Sequence, residues 1–202
     1  MPPPRPRLRL ITAPDPVITL DEARAHLRVD HEDEDDLIAA QIAAATAMVD
    51  GQDGWLGRCI GVQTWRATWD GSAWPEGRSG AVPIPLPPLV SIGAVSIVDP
   101  AGDTQALVAD TDYRVADGGS YLSAIVPPRG QCWPDRLDDI GSLAITYTAG
   151  YATGTLPAPI RAAILLTLGK LYEHREDVVS GTIMTRLPSG ADALLLPYRI
   201  WA

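Results

Sequence analysis

Three histidines, two cysteines, one glycine–lysine pair and a run of carboxylates are the residues of this sequence that could do chemistry. Their spacing fits none of the arrangements that such chemistry needs. His26, His31 and His174 are isolated from one another, and none has a partner at metal-ligand spacing. His174 sits in Tyr172-Glu173-His174-Arg175-Glu176, a polar helix end where a cation complements the helix dipole. Gly169-Lys170 is followed by Leu171, where a phosphate-binding loop requires Ser or Thr. Cys59 and Cys132 form no CxxC pair and read as small core residues of a protein made in a reducing cytoplasm. The run His31-Glu32-Asp33-Glu34-Asp35-Asp36 lacks both the central glycine and the terminal glutamate of a calcium-binding loop. No GxSxG, HExxH or GxGxxG motif occurs. The expectation is a protein that is not an enzyme, with no catalytic, cofactor or metal site.

The elements that would hold any site must therefore be read for surfaces. With 202 residues, 46% of them apolar and 20% charged, the chain has the composition of a globular protein with one good core and room for an inserted module. Nineteen prolines and 18 glycines demand many turns. A net charge of −9 repels polyanions, which disfavours sequence-independent DNA binding. The arginine-rich start has no apolar stretch resembling a secretory signal, and no apolar run reaches the length of a membrane span. Trp55, Trp65, Trp69, Trp74, Trp133 and Trp201 could stack on bases or sugars, but without interleaved basic residues they read as core and interface anchors.

Residues 1–16, six prolines alternating with Arg5, Arg7 and Arg9, predict a flexible extended arm. Thr19-Leu20-Asp21-Glu22 has the spacing of a capping box and opens a first helix, in which Leu20, Ala23 and Leu27 share a face. The acidic run leads into a second helix reaching about Asp50, with Ile38, Ile42, Ala45 and Val49 on one side. Its carboxylates favour the positive end of the dipole, or else form an inter-subunit or channel-facing patch. The small Ala39, Ala40, Ala43, Ala44 and Ala47 suit close helix–helix approach.

From residue 62 to 154 the period changes to alternation, predicting an antiparallel β insertion. Trp65, Ala67 and Trp69 line one strand face before the Asp70-Gly71 turn, and Val95 and Ile97 another before Asp99-Pro100-Ala101-Gly102. Short strands are expected near 105–109, 113–115, 121–126 and 143–147. The proline-rich stretch from Val82 to Leu89 is expected to cross the surface as an extended ribbon. A third helix follows Pro157 and Pro159, with Ile160, Ile164, Leu165, Leu168, Leu171 and Tyr172 as its apolar stripe. The helical core is thus split, 17–61 with 155–178. Residues 179–202 read as a docking tail, because Leu194, Leu195, Leu196, Tyr198, Arg199, Ile200 and Trp201 make an unusually apolar chain end; the alternative reading is that this tail packs on the chain's own core.

Several of these segments, in this order, resemble the head-to-tail connector (adaptor) family of long-tailed phages, including the adaptor of alphaproteobacterial gene transfer agents. The matching stretches are residues 20–30 with the acidic sequel, Ile84-Pro85-Leu86-Pro87-Pro88-Leu89-Val90, Cys132-Trp133-Pro134 and Ile145-Thr146-Tyr147-Thr148-Ala149-Gly150-Tyr151. They continue with 157–164, Leu171-Tyr172-Glu173-His174-Arg175-Glu176 and Leu196-Pro197-Tyr198-Arg199. The resemblance implies an α+β subunit of a phage-like particle, assembled in the bacterial cytoplasm as a ring, expected to be a dodecamer. The ring would lie between the portal protein and a stopper or tail-completion protein, with DNA passing through its lumen and no membrane contact. On this reading Leu194 to Trp201 dock on the portal. The competing readings are another neck protein such as a stopper, and a small hydrolase or carbohydrate-binding module using Trp65 or Trp69.

Overall fold

The computed structural model describes residues 5–14, 16–71, 80–119, 121–174 and 189–201. Trp74, the loose stretch through Ser180 and Gly181, and the end of the third expected helix beyond His174 lie outside these residues. The fold is α+β, with four helices and two antiparallel sheets among the described residues. The chain divides into two compact units, Met1–Pro14 with Val62–Gly150 and Asp15–Gly61 with Tyr151–Ala202.

In the first unit, β1 (Arg7–Thr12), β2 (Gln63–Trp69), β4 (Leu89–Val98), β5 (Thr104–Leu107) and β8 (Leu143–Ala149) form a sheet ordered β1-β2-β8-β4-β5. The strands β3 (Val82–Ile84), β6 (Arg114–Asp117) and β7 (Ser123–Val126) form another, ordered β3-β7-β6. The alternation in β2 buries Trp65, Ala67 and Trp69, and register carries that face across the sheet. Trp65 lies opposite Tyr147, Ala67 opposite Ile145 and Trp69 opposite Leu143, with Val95 and Ile97 continuing the row on β4. Trp133 is buried in the same unit, its indole N–H donating to the Gly80 carbonyl at 2.7 Å.

Two proline-rich segments differ from expectation. Residues 7–12, assigned to the flexible arm, are an edge strand paired with β2. No proline falls between Pro6 and Pro14, and the window Arg-Leu-Arg-Leu-Ile-Thr has every amide a ladder needs. The ribbon at 82–89 is not a surface crossing, since Val82, Ile84 and Leu86 are buried and β3 pairs with β7. Pro83 points outward on this edge strand, where a proline is tolerated.

The β1 edge is tied down by Arg7, whose Nη2 donates to Asp70 Oδ1 at 2.7 Å, while the Gly141 amide donates to the same oxygen at 2.9 Å. The guanidinium first, and then that amide, hold the Asp70 carboxyl below its ordinary range. A depressed carboxylate contributes stability above its unfolded value near 3.9, and that contribution is lost as pH falls through the lower folded value. Asp70→Asn should therefore be less stable than the parent at neutral pH and converge with it in acid. Melting temperatures taken from pH 7 down to 2 check this, and a constant gap across the series would contradict it.

The second unit contains α1 (Leu20–Leu27), α2 (Asp35–Ala47), α3 (Ala158–Glu173), α4 (Ser189–Leu195) and a 3-10 turn over Leu196–Tyr198. Its core is formed by Ile18, Ile38, Ile42, Ala45 and Val49 with Ile160, Ile164, Leu168 and Leu195. Three main helices were expected, with Ser189-Gly190-Ala191-Asp192 as the cap of a further short one; α4 is that short helix, and Ala191 and Leu195 join it to the helical core. The second helix stops at Ala47 and not at Asp50, whose carboxylate instead accepts from the Ile60 amide at 2.6 Å. Ala39, Ala40, Ala43, Ala44 and Ala47 face outward, so the close helix contacts come from Ile38, Ile42 and Ala45 instead.

The capping box is half formed. Thr19 Oγ1 accepts from the Glu22 amide at 3.2 Å, but the Glu22 carboxylate is taken by Arg161 Nη1 at 2.8 and 2.9 Å, joining α1 to α3. The acidic run is likewise used across helices as well as at the dipole. Asp35 holds the Arg24 guanidinium of α1, and Glu34 accepts from the Tyr172 hydroxyl of α3.

Candidate partner-docking site

The carboxyl-terminal segment is half core and half surface. In α4, Ala191 and Leu195 are fully buried against the helical core, and Leu194 and Tyr198 pack on it from the side. The chain then leaves the 3-10 turn extended, and the Ile200 amide donates to the Leu56 carbonyl at 2.9 Å. Gly57 permits this approach: it has φ of +63°, and a Cβ there would meet Ile200 O at 3.3 Å.

Arg199 is held between two indoles, its guanidinium carbon 4.6 Å from the Trp55 ring centroid and 4.1 Å from that of Trp201. Both distances lie within cation–π range. Beside this stack, Arg58 is fully buried, donates from Nη1 to the Tyr151 hydroxyl at 2.5 Å and lies 6.0 Å from the Tyr198 ring. Trp201 remains 71% exposed and Leu196 54%, so each presents apolar surface next to an ordered cation.

Of the seven residues assigned to docking from the sequence, Leu195 belongs to the chain's own core. Leu194, Tyr198, Arg199 and Ile200 are partly buried, and Leu196 and Trp201 carry the open surface. Trp55 and Arg58 were not singled out for this site. They lie more than 140 residues from Arg199 and Trp201 in sequence, with no local pattern linking them to that end.

The tryptophans offered as a ligand platform do not serve as one, because Trp65 and Trp69 are 8% and 3% exposed and fill the sheet's buried face. Among the described residues no three His, Cys, Asp or Glu side chains gather where a metal could bind. None of the described helices is long and apolar enough to cross a membrane.

Residues 17–58, which contain α1, α2 and the turn carrying Trp55 and Arg58, match the model of the family described as Phage gp6-like head-tail connector protein. No curated protein matches the sequence. The chain also has the fold of chains in solved gene transfer agent particles. One, from the virion of a native particle, superposes with a TM-score of 0.75 at 22% identity, covering 96% of each chain. A second, from the neck of an empty particle computed with C6 symmetry, gives 0.73 at 23% identity, over 97% of this chain and 96% of that one. A third, from the neck of a native particle computed with C12 symmetry, gives 0.62 at 22% identity with the same coverage as the second. At this coverage the likenesses extend into both units.

Proposed function

We propose that the chain is a structural neck subunit of a phage-like or gene-transfer-agent-like particle. It acts as a head–tail adaptor, assembling as a twelve-membered ring that joins the portal to the stopper or tail and lets DNA pass unprocessed. The observation that carries this reading is the likeness of fold, over 97% of the chain, to chains in gene transfer agent necks computed with cyclic symmetry. The connector-family match over α1 and α2 is independent support from sequence.

Trp201 and Leu196 are the exposed anchors of the docking segment, and Arg199, fixed between the two indoles, is oriented to meet a carboxylate on the portal. Truncation of an exposed aromatic anchor at the centre of an interface costs about 2 kcal/mol or more, roughly a thirtyfold loss of affinity. A pull-down of the full chain on its cognate portal ring should therefore weaken by that factor in Trp201→Ala, with the melting temperature unchanged. Unaltered retention would refute the docking assignment. A parent chain that reaches the portal only when another neck protein bridges them would make it a stopper.

A further inference from the structure

The strongest charge feature outside the docking segment lies on the open face of the five-stranded sheet. Arg9 on β1 and Arg66 on β2 are directly opposed across the ladder, with Arg7 two residues away on the same face. At about 3.4 Å per residue along a strand and about 4.8 Å between strands, the Arg9 and Arg66 stems start about 5 Å apart, and Arg7 starts about 7 Å from Arg9 and about 8 Å from Arg66. Arg7 is neutralised by Asp70. Arg9 and Arg66 are both exposed, and neither has an ion-pair partner among the described residues. Like charges placed opposite each other destabilise a sheet, so folding of this unit alone gives no reason for the pair. Among the described residues the one carboxylate beside this face is Asp70, already engaged by Arg7 and the Gly141 amide, and the neighbouring ladder positions are Thr64, Thr68, Thr146 and Thr148.

The complementary feature is on the other unit of the same chain. The two units differ in charge: Met1–Pro14 with Val62–Gly150 holds 8 basic and 10 acidic residues, net −2, whereas the helical unit holds 8 and 15, net −7. Several carboxylates of the β unit are occupied in their own turns. Asp99 accepts from the Ala101 and Asp103 amides, Asp112 from the Val108 amide, and Asp117 from the Gly119 amide and the Ser123 hydroxyl. In the helical unit Asp30, Glu32, Asp33 and Asp36 stand exposed within seven residues, and the ion pairs of Glu32 and Asp33 are long ones of 3.9 Å.

We infer that the Arg9/Arg66 sheet face is a subunit–subunit contact whose occupant is the Asp30–Asp36 loop of a second copy of this chain. A surface on one unit that matches a different surface on the other generates a head-to-tail interface, the kind that closes into rings. Nucleic acid is the less favoured occupant, because a molecule of net charge −9 gains little by bringing two guanidinium groups to a phosphate backbone. The inference rests on the ring proposed above and specifies its lateral contact.

A charge-swap series on the full chain tests it. Particles are made with the parent, with Arg9→Glu/Arg66→Glu, with Glu32→Arg/Asp33→Arg, or with all four changes, and the copies retained per particle are counted by quantitative mass spectrometry. Each double reversal should lower the copy number by at least about tenfold, since juxtaposed like charges oppose association strongly. The fourfold variant should recover most of it; the Arg9/Arg66 reversal should melt with the parent, and the two variants altered at Glu32 and Asp33 only slightly below it, since the pairs they lose are 3.9 Å long and their carboxylates exposed. Retention of either double variant at parental level would overturn the inference. So would loss without recovery in the fourfold variant, and a nuclease-sensitive crosslink from the arginine face to DNA would identify the other occupant. Absence of the parent chain from particles would instead overturn the neck assignment, which separates the two failures.

Discussion

Leu195→Ala is expected to lower the unfolding free energy by about 2–5 kcal/mol, the range for truncating a fully buried leucine in a core that only partly collapses. Leu195 is completely inaccessible and sits among the helical core residues contributed by α2 and α3. Because α4 has only seven residues, it has too few internal hydrogen bonds to persist without that burial. The loss should therefore appear twice: as a lower denaturation midpoint, and as faster hydrogen exchange at the Ile200 amide, which is bonded to Leu56 from the far side of the turn. The contrast with Trp201→Ala matters most. If the segment were only a docking tail, both substitutions would leave stability untouched; with α4 part of the core, only the tryptophan can be removed without cost to the fold. Deleting the whole of 194–202 would confound binding with folding, whereas the single substitutions separate them. A Leu195→Ala protein with parental stability would show that α4 contributes nothing to the core.

The parts of the fold that were legible in sequence are those with a sustained period. Trp65, Ala67 and Trp69 gave the buried face of β2 because a strand alternates every two residues, and Ile38, Ile42, Ala45 and Val49 gave the inner face of α2 because a helix repeats every 3.6. Short or composite segments were misread for definable reasons. Proline content averaged over residues 1–16 hid the proline-free window that makes β1, and the same averaging hid the Val82–Ile84 alternation of β3. The chain end looked like a surface because it is apolar, but apolarity does not say whether the covering partner is another protein or the chain itself. Leu195 meets the latter and Trp201 has no such cover. The Trp55–Arg199–Trp201 stack was beyond reach, since its members come from two ends of the helical unit and are brought together by tertiary contacts such as the burial of Leu195 and the Leu56–Ile200 hydrogen bond. In the same way, the capping-box spacing identified the start of α1 correctly but not the destination of Glu22, which is set by an arginine 139 positions away.

Arg58→Ala should be at least as damaging as Leu195→Ala, at about 3–5 kcal/mol, although an arginine in a polar-looking loop would ordinarily be judged replaceable. Its side chain is wholly buried, and its sequence neighbours Leu56, Cys59 and Ile60 are likewise inaccessible to solvent. An ionised group in such a place is tolerated only where hydrogen bonds and polarisable neighbours replace water. Here the Tyr151 hydroxyl and the Tyr198 ring take part in that replacement. Alanine removes a hydrogen bond from a charged donor to the part-buried Tyr151 hydroxyl, which costs about 1.5–3 kcal/mol, and leaves unfilled the volume of a long side chain, which adds a comparable amount. Methionine fills most of that volume and loses only the polar part, so Arg58→Met should cost about 1–3 kcal/mol. Denaturant midpoints of the two variants measure the difference. If Arg58→Ala lay within 1 kcal/mol of the parent, or if methionine were the worse of the two, Arg58 would not be the strut that joins the 50–61 loop to Tyr198. The docking segment would then owe its position to Leu195 and the Leu56–Ile200 hydrogen bond alone.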